Sequence, residues 1–580
     1  MRRRLGLLLV LLTATGAAAT DPTPPPLPEA SYRFSVLMDQ WRPRLEPSDA
    51  LRHPVNITRD DTVEHVTLQD AIAIALENNP GIAASRLEPT RVSADILNAQ
   101  SQFDYVLGGD VQVWGEAHIP NASTLTGVDT TVERERFYNV SLAKMFRTGT
   151  QFRTDFINPR TTSNASFVQL SPQYAPELRF SVVQPLLRDF GWNFSYLIVR
   201  VAENFADAAL YQYEADLADF VLAVVDAYWN VVGARQNVEV RRESLQLAER
   251  TVQENEARVR VGLLAPVAVL EAQAQAKARE TDVIVADNLL KTARLRLAQL
   301  AYFRPQGTVL PRMLEPSEQG QPEGIHIDED TALVTAMAER PEVLASASAV
   351  KARQYDQRIA SNHLLPRFDL VGSYGLLGLS GTNQEGPPRC FDVDVDGDPT
   401  TPPTAVCAEP SEPSPFTGNK SRAYDRLVSG DWNRYAVGFR VQIPIANAQG
   451  RADQARSRVA LNQAELRHRE LLSNVTLEVR DTAADLEATQ QAIETSRVAR
   501  ELAEENLRNQ EKRHEVGMAT TKDLLDFQTQ LTEARFTEVQ ARVRHAVAVA
   551  RWRRAQGQLL SHYQIVVENK RRSTPWFAKF

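Results

Sequence analysis

Leu217–Gly262 reads LADFVLAVVDAYWNVVGARQNVEVRRESLQLAERTVQENEARVRVG. Every seventh position is aliphatic: Leu217, Val224, Val231, Val238, Leu245, Val252 and Val259. The row beside it is small or aromatic, at Phe220, Ala227, Ala234 and Ala248. A strict repeat of seven keeps one seam against a partner helix and imposes left-handed supercoiling. The run ends at Val261-Gly262-Leu263 and Pro266, where a helix must turn or break. A second seam then starts at Val269 and continues through Ala276, Val283, Leu290 and Leu297. Counted from Phe194, the outgoing helix has about 68 residues, or ~100 Å at ~1.5 Å per residue. A globular domain does not need that length; a device that crosses a compartment does.

The 580-residue chain carries a formal charge of −8, which argues against nucleic acid as a partner. Met1 to Ala19 reads as a cleaved secretory signal, with Arg2-Arg3-Arg4 before the apolar run Leu5–Leu12 and small residues at Ala17-Ala18-Ala19. No Cys follows that cleavage site, so no lipid attachment is expected there. Beyond it, the best apolar run, Phe220–Val232, is too short to span a bilayer and contains Asp226. If the chain crosses a membrane, it does so with strands. Its two cysteines, Cys390 and Cys407, fall in one loop and are expected to form a disulfide in an exported protein.

Along the chain, Asp21–Glu29 is a Pro-rich linker. Thr67 caps a helix, with Asp70 at its third position, and Asn79-Pro80 interrupts it. From Tyr105 the period changes to alternation, first through Trp114 and then at Phe137–Met145, Gln151–Ile157 and Leu178–Val183. Two of these strands are the minimum; Phe137–Ile157 is either an extra hairpin in the same wall or a surface flap. Gln184-Pro185 closes the last strand, and Gly191 precedes the long helix. The pattern then recurs. Pro341 answers Pro80 (341 − 80 = 261), Pro444 answers Pro185 (259), Gly450 answers Gly191 (259) and Gly517 answers Gly262 (255). In this second half Leu472, Val479, Leu486 and Ile493 form the outgoing row, and Thr532, Val539 and Ala546 the return. So long a period marks a duplicated half, not a solenoid unit. The organisation read from this is a signal over 1–19, an extension over 20–65, a first repeat over 66–300 and a linker over 301–329. A second repeat follows over 330–561, with an outer loop at 381–431, and then a tail over 562–580.

Four strands, or six with the extra hairpin, cannot close a barrel, and open edges are not tolerated in lipid. Known membrane barrels start at about eight strands. The chain must therefore supply part of a shared barrel, and three copies would give at least twelve strands and six helical hairpins around an aqueous channel.

These residues resemble the TolC-like outer membrane efflux proteins over about residues 66 to 561. The resemblance is carried by Leu68-Gln69-Asp70-Ala71 with Asn79-Pro80, by Gln184-Pro185-Leu186-Leu187 with Gly191, and by the turns Arg258-x-x-Val261-Gly262-Leu263 and Arg513-x-x-Val516-Gly517. Each return helix then carries Leu270-x-x-Gln273 or Leu525-x-x-Gln528. The resemblance implies a mainly α homotrimer, with a β-barrel in the outer membrane of a Gram-negative-type bacterium and a coiled-coil tunnel across the periplasm. It implies partners too: a membrane-fusion adaptor and an inner-membrane transporter of RND, ABC or MFS type.

It also assigns roles. Arg258, Val261, Gly262, Leu263, Arg513, Val516 and Gly517 would form the adaptor-docking tips, although both glycines are equally explained as helix ends with positive φ. Asp523 and Asp526 would ring the closed entrance; alone, they read as helix-start acids complementing the dipole. The first half has Ala268 and Glu271 in the equivalent region, so the family's closing latch is not carried over. Gln184, Pro185, Gly191, Pro444 and Gly450 mark strand–helix junctions. In the outer loop, Asp392, Asp394 and Asp396 before Gly397 look like the start of a calcium loop, but Pro403 stands where the bidentate Glu belongs. No metal and no cofactor are expected, and no metal-binding His pair, phosphate loop or nucleophile elbow points to an enzyme. The function implied is an export duct for drugs, metals or metabolites. Its rivals are a type I protein secretion duct and, from another class, a periplasmic coiled-coil scaffold without a pore.

Overall fold

The computed structural model describes residues 63–119, 128–165, 167–191, 194–302, 313–318, 324–384, 390–393, 404–407 and 414–567. The expected signal, nearly all of the N-terminal extension, Asp394, Asp396 and the last residues of the tail lie outside them.

In chain order the elements are β1 (Val63–Val66), α1 (Leu68–Asn78), α2 (Pro80–Ser101), β2 (Val106–His118), β3 (Thr131–Met145), β4 (Gln151–Ile157), β5 (Pro159–Ser163), β6 (Leu170–Tyr174) and β7 (Glu177–Pro185). The first long hairpin follows as α3 (Leu197–Arg260) and α4 (Pro266–Ala301), then β8 (Met313–Pro316). The second series is α5 (Glu329–Glu339), α6 (Pro341–Asn362), β9 (Arg367–Leu377), β10 (Ser380–Asn383), β11 (Cys390–Val393), β12 (Thr404–Cys407), α7 (Lys420–Ser429), β13 (Asn433–Gln442), α8 (Ala448–Glu515), α9 (Thr521–Ala555) and α10 (Leu559–His562). Lengths match across the two series: 11 and 11 residues for α1 and α5, 22 and 22 for α2 and α6, 64 and 68 for the outgoing helices, 36 and 35 for the returns. The outgoing helices are therefore about 96 and 102 Å long at ~1.5 Å per residue.

Local chemistry sets the boundaries. Thr67 and Asp70 exchange the two hydrogen bonds of a capping box at the start of α1. Asn79 ends α1 and caps α2, whose first residue is Pro80, where the missing N–H has no helical partner to lose.

One antiparallel sheet holds β2–β7, β9, β10 and β13. β4 with β5, β6 with β7, and β9 with β10 are interrupted continuations of single lines. The sheet thus has six lines, in the order β2, β3, β4/β5, β6/β7, β9/β10, β13. The segment 137–157 is a wall hairpin, since β3 and β4 lie inside the sheet. Directly opposed residues share a face. Val111, Tyr138, Phe156, Leu178, Leu376 and Val437 lie on one side, which is mostly apolar across the lines nearer the long helices and carries Arg134, Arg136 and Arg160 at its far end. Asp110, Asn139, Asp155, Arg179 and Arg434 lie on the other. α7 covers the end of the apolar side away from the long helices, with Tyr424 against Phe156 at a ring separation of 6.2 Å.

The helical part has two main cores. In the first, Val221, Val224, Val225, Tyr228, Val231 and Val232 of α3 are buried under Ala71, Ile72 and Ala75 of α1 and Leu314 of β8. Each such valine contributes roughly 1.5–3 kcal/mol by leaving water. This apolar stretch is the one window long and apolar enough to cross a membrane among the described helices, and it is half buried inside the protein instead. β1 and β8 pair in parallel at its edge, where the Tyr228 hydroxyl donates to the Val66 carbonyl at 3.2 Å. The second core, at the matching place, packs Ala332, Ala336 and Val343 against Val475, Val479, Leu486 and Trp552.

The seam read from sequence holds in the upper half of α3 and shifts below. Leu217, Val224, Val231 and Val238 are buried, but Leu245, Val252 and Val259 are only half-buried. There α3 turns a polar row to α9: Ser244, Thr251 and Asn255 face Thr532, Gln528 and Thr521. Leu245 and Val252 line a lateral groove with Leu270 and Ala276 of α4.

Candidate functional site

Both hairpin tips close in the same way. At the first, Gly262 sits at φ +79°, its N–H bonds the Val259 carbonyl at 3.0 Å and the Leu263 N–H reaches back to the Arg258 carbonyl at 2.9 Å. At the second, Gly517 sits at φ +77°, with Gly517 N–H to His514 at 3.1 Å and Met518 N–H to Arg513 at 2.8 Å. This is the six-to-one closure of a helix ending in a left-handed residue. A Cβ on either glycine would meet nothing within 4 Å, so the positive φ alone asks for glycine.

The closures push apolar side chains outward. Val261 and Leu263 are 70% and 75% exposed, and Val516 and Met518 are 69% and 67% exposed. Met518 was missed in the sequence, although the 255-residue offset that relates the glycines also takes Leu263 to it (518 − 263 = 255). The two tips stand side by side in one chain. Arg258 donates to the His514 carbonyl at 3.4 Å, and the fully buried Asn255 donates to Ala268 at 3.3 Å and Thr521 at 3.4 Å. Arg513 stays exposed.

Beside the second tip, the Asp523 carboxylate accepts from the Thr520 N–H at 2.9 Å and its hydroxyl at 2.7 Å, the other half of a capping box. Those hydrogen bonds, with Arg513 and Lys522 nearby, hold the Asp523 carboxyl below the usual carboxylate range. Asp523 is thus both helix cap and exposed acid, and Asp526 is exposed one turn on. In the first half Ala268 is buried and Glu271 exposed.

At the strand–helix junction the β3–β4 turn packs against the end of β7. Gln184 accepts from Thr150 and donates to Thr148 at 3.5 Å and Pro185 at 2.8 Å. Arg147 lies over the Tyr196 ring at 4.5 Å. Gly149, at φ +81°, leaves no room for a side chain: a Cβ would sit 2.8 Å from the Asp189 carbonyl. Gly191 and Gly450 share a sequence offset but not a conformation. Gly191 is at φ +129° ahead of α3, whereas Gly450 is inside the first turn of α8, where an added Cβ would sit 2.5 Å from the Asn447 amide oxygen. Pro444 lies between β13 and α8.

In the outer loop, the β11–β12 ladder sets Cys390 opposite Cys407. Of the weak calcium candidates, Asp392 is in β11, and Asp394 and Asp396 lie outside the described residues. Among the described residues no group of three metal-ligating side chains occurs.

Known proteins share this architecture. The family model described as outer membrane efflux protein matches residues 196–301 and 332–558, more than half of the chain. The outer membrane efflux protein BepC of Brucella suis is 26% identical over 330 residues, which span 56% of this chain and 60% of BepC. The Campylobacter jejuni CmeC outer membrane channel superposes with a TM-score of 0.55 at 14% identity, covering 90% of this chain and 93% of that one. The outer membrane protein VceC of Vibrio cholerae gives 0.56 at 16% identity, covering 84% and 96%. At these identities the two structures speak for the fold alone. The doubled helix–strand–hairpin order and the extended family match together make this chain a member of the outer membrane efflux protein family.

Proposed function

We propose that three copies of this chain form the outer membrane duct of a tripartite export system. The sheet then lies in the outer membrane and the long helices in the periplasm, a placement that family membership supports. In this reading the apolar side of the sheet faces lipid and the polar side lines the lumen. The tips, with Val261, Leu263, Val516 and Met518, dock a membrane-fusion adaptor, and an inner-membrane transporter supplies the energy. The cargo is small molecules: drugs, metals or metabolites. The duct itself does no covalent chemistry. One observation carries the proposal: a face mostly apolar across all six lines in its part nearer the helices, set on helices about 100 Å long, has no use in a water-soluble scaffold.

Entry is restricted at the second tip. With three-fold symmetry, Asp523 and Asp526 bring six carboxylates around one axis, a ring that favours cations. Purified protein in a planar bilayer should therefore form cation-preferring channels, and Asp526→Asn should cut the preference without abolishing conductance. A chain that forms no channels fits the scaffold rival; unchanged selectivity removes the ring.

A further inference from the structure

The sheet ends on two lines, β2 and β13, each with one edge unpaired among the described residues. The alternation runs right up to both edges: Val111 and Val113 on β2, and Val437 and Phe439 on β13, are 66–77% exposed on the same side. If that side meets hydrocarbon, so do both edges, and backbone N–H and C=O groups there must be paired. Six lines are fewer than the ~8 of the smallest known membrane barrels, so the sheet cannot close on itself. β2 runs away from the long helices and β13 toward them, so the edges of two copies meet antiparallel.

Charge selects the register. The polar side of β2 carries Asp110 and Glu116, and that of β13 carries Arg434 and Arg440. Both pairs are six residues apart (116 − 110 = 6; 440 − 434 = 6). Setting Asp110 opposite Arg440 therefore sets Glu116 opposite Arg434. A slip of two residues either way keeps the faces matched but leaves neither acid opposite an arginine. Arg434 already donates to Glu177, and a guanidinium has donors left for a second carboxylate.

Barrel geometry gives an independent check. From Gly438 the ladder runs through Val371, Val183, Gln151 and Met145, and arrives level with residue 104 on the line of β2. The charge-matched register sets Gly438 opposite Gln112 instead, a stagger of eight residues per copy (112 − 104 = 8). At ~3.3 Å per residue and ~4.8 Å between strands, eight residues over six lines is a tilt of about 42°. Membrane barrels tilt by roughly 35–45°.

We infer that β2 of one copy pairs antiparallel with β13 of the next, with Asp110 opposite Arg440 and Glu116 opposite Arg434. Three copies then close an 18-stranded barrel (6 × 3 = 18). The copy number, the lipid setting and the tilt check rest on the duct reading above; the charge match does not. Barrel diameter grows roughly with strand number, so the outer membrane section is too wide to sort cargo by size, which leaves that task to the tips.

The test uses the full chain in its membrane. Gln112→Cys with Gly438→Cys places two thiols opposite each other in this register, and a side chain at Gly438 meets nothing within 4 Å. On mild oxidation, covalent dimers and trimers should appear on a non-reducing gel. They should be absent from the wild type and from the slipped pair Gln112→Cys with Ala436→Cys. In parallel, Asp110→Arg and Arg440→Asp should each lower the temperature at which oligomers dissociate, and the double reversal should recover most of the loss. A ladder stronger in the slipped pair, or no recovery, overturns the register. If the wild type conducts ions but the matched pair gives no ladder, the interface is wrong and the duct reading stands. If the wild type neither conducts nor oligomerises, both fall.

Discussion

Two glycines decide where each long helix turns back. Gly262 and Gly517 have open space around the missing Cβ, so their value is conformational: an L-residue in the left-handed region costs ~1–2 kcal/mol. Gly517→Ala should therefore loosen the second tip without a clash. Hydrogen exchange at the Met518 amide, which closes the turn, should speed up about fivefold for ~1 kcal/mol of lost closure, and less for Gly517→Asn. An unchanged rate would mean that the closure does not hold the tip. These turns were legible in the sequence because glycine next to a broken heptad has few other meanings. The neighbouring Met518 was not, because one exposed thioether carries no period. Asp523 shows the opposite case: its carboxylate caps α9, as the helix-start reading has it, and the entrance ring stays the proposal that the Asp526 variant tests.

At the scale of elements, the second half is clasped where α5 meets α6 and the hairpin. The Arg340 side chain is 3% exposed and pairs with Glu342 at 3.3 Å and Glu478 at 2.8 Å. Arg554 joins Glu342 at 2.7 Å, Glu478 at 2.8 Å and Asp219 of α3 at 2.7 Å, linking the two halves. Burial alone would push the Glu342 carboxyl up, but the Arg340 hydrogen bond and the charges of Arg340 and Arg554 outweigh it and hold it below the ordinary range. A lowered folded pKa gives stability that is present above the unfolded value of ~4.3 and lost as pH falls through the folded one. The melting temperature should thus owe nothing to Glu342 titration between pH 5 and 7, and the acid-side loss below about pH 4 should shrink in Glu342→Gln. Arg554→Met should lower stability by only about 1 kcal/mol, since Arg340 still pairs Glu342 and Glu478 and Asp219 is largely exposed. A Glu342-dependent transition above pH 5 would contradict the sign. Only the Arg340–Glu342 pair is local; the other partners lie 76 to 335 residues apart, and only the fold brings them together. The heptads gave the hairpins but not the polar seam of Ser244, Thr251 and Asn255, because small polar residues at that spacing look like a solvent face until a second helix covers them.

For the whole molecule, alternation revealed the strands but left four or six open, because a hairpin in the wall and a flap above it have the same period. What decides it is pairing: β3 and β4 are inner lines, and the apolar side continues through them. A sheet of this kind on helices this long makes sense as one sector of a tube. The most direct measurement is an image of the purified protein in detergent or lipid nanodiscs at strand resolution. The expected image is a three-fold particle with a continuous lumen, six helical hairpins and 18 strands around the membrane end (6 × 3 = 18). A single-copy or solid particle, or a 12-stranded wall with the β3–β4 hairpin standing outside it, would contradict it.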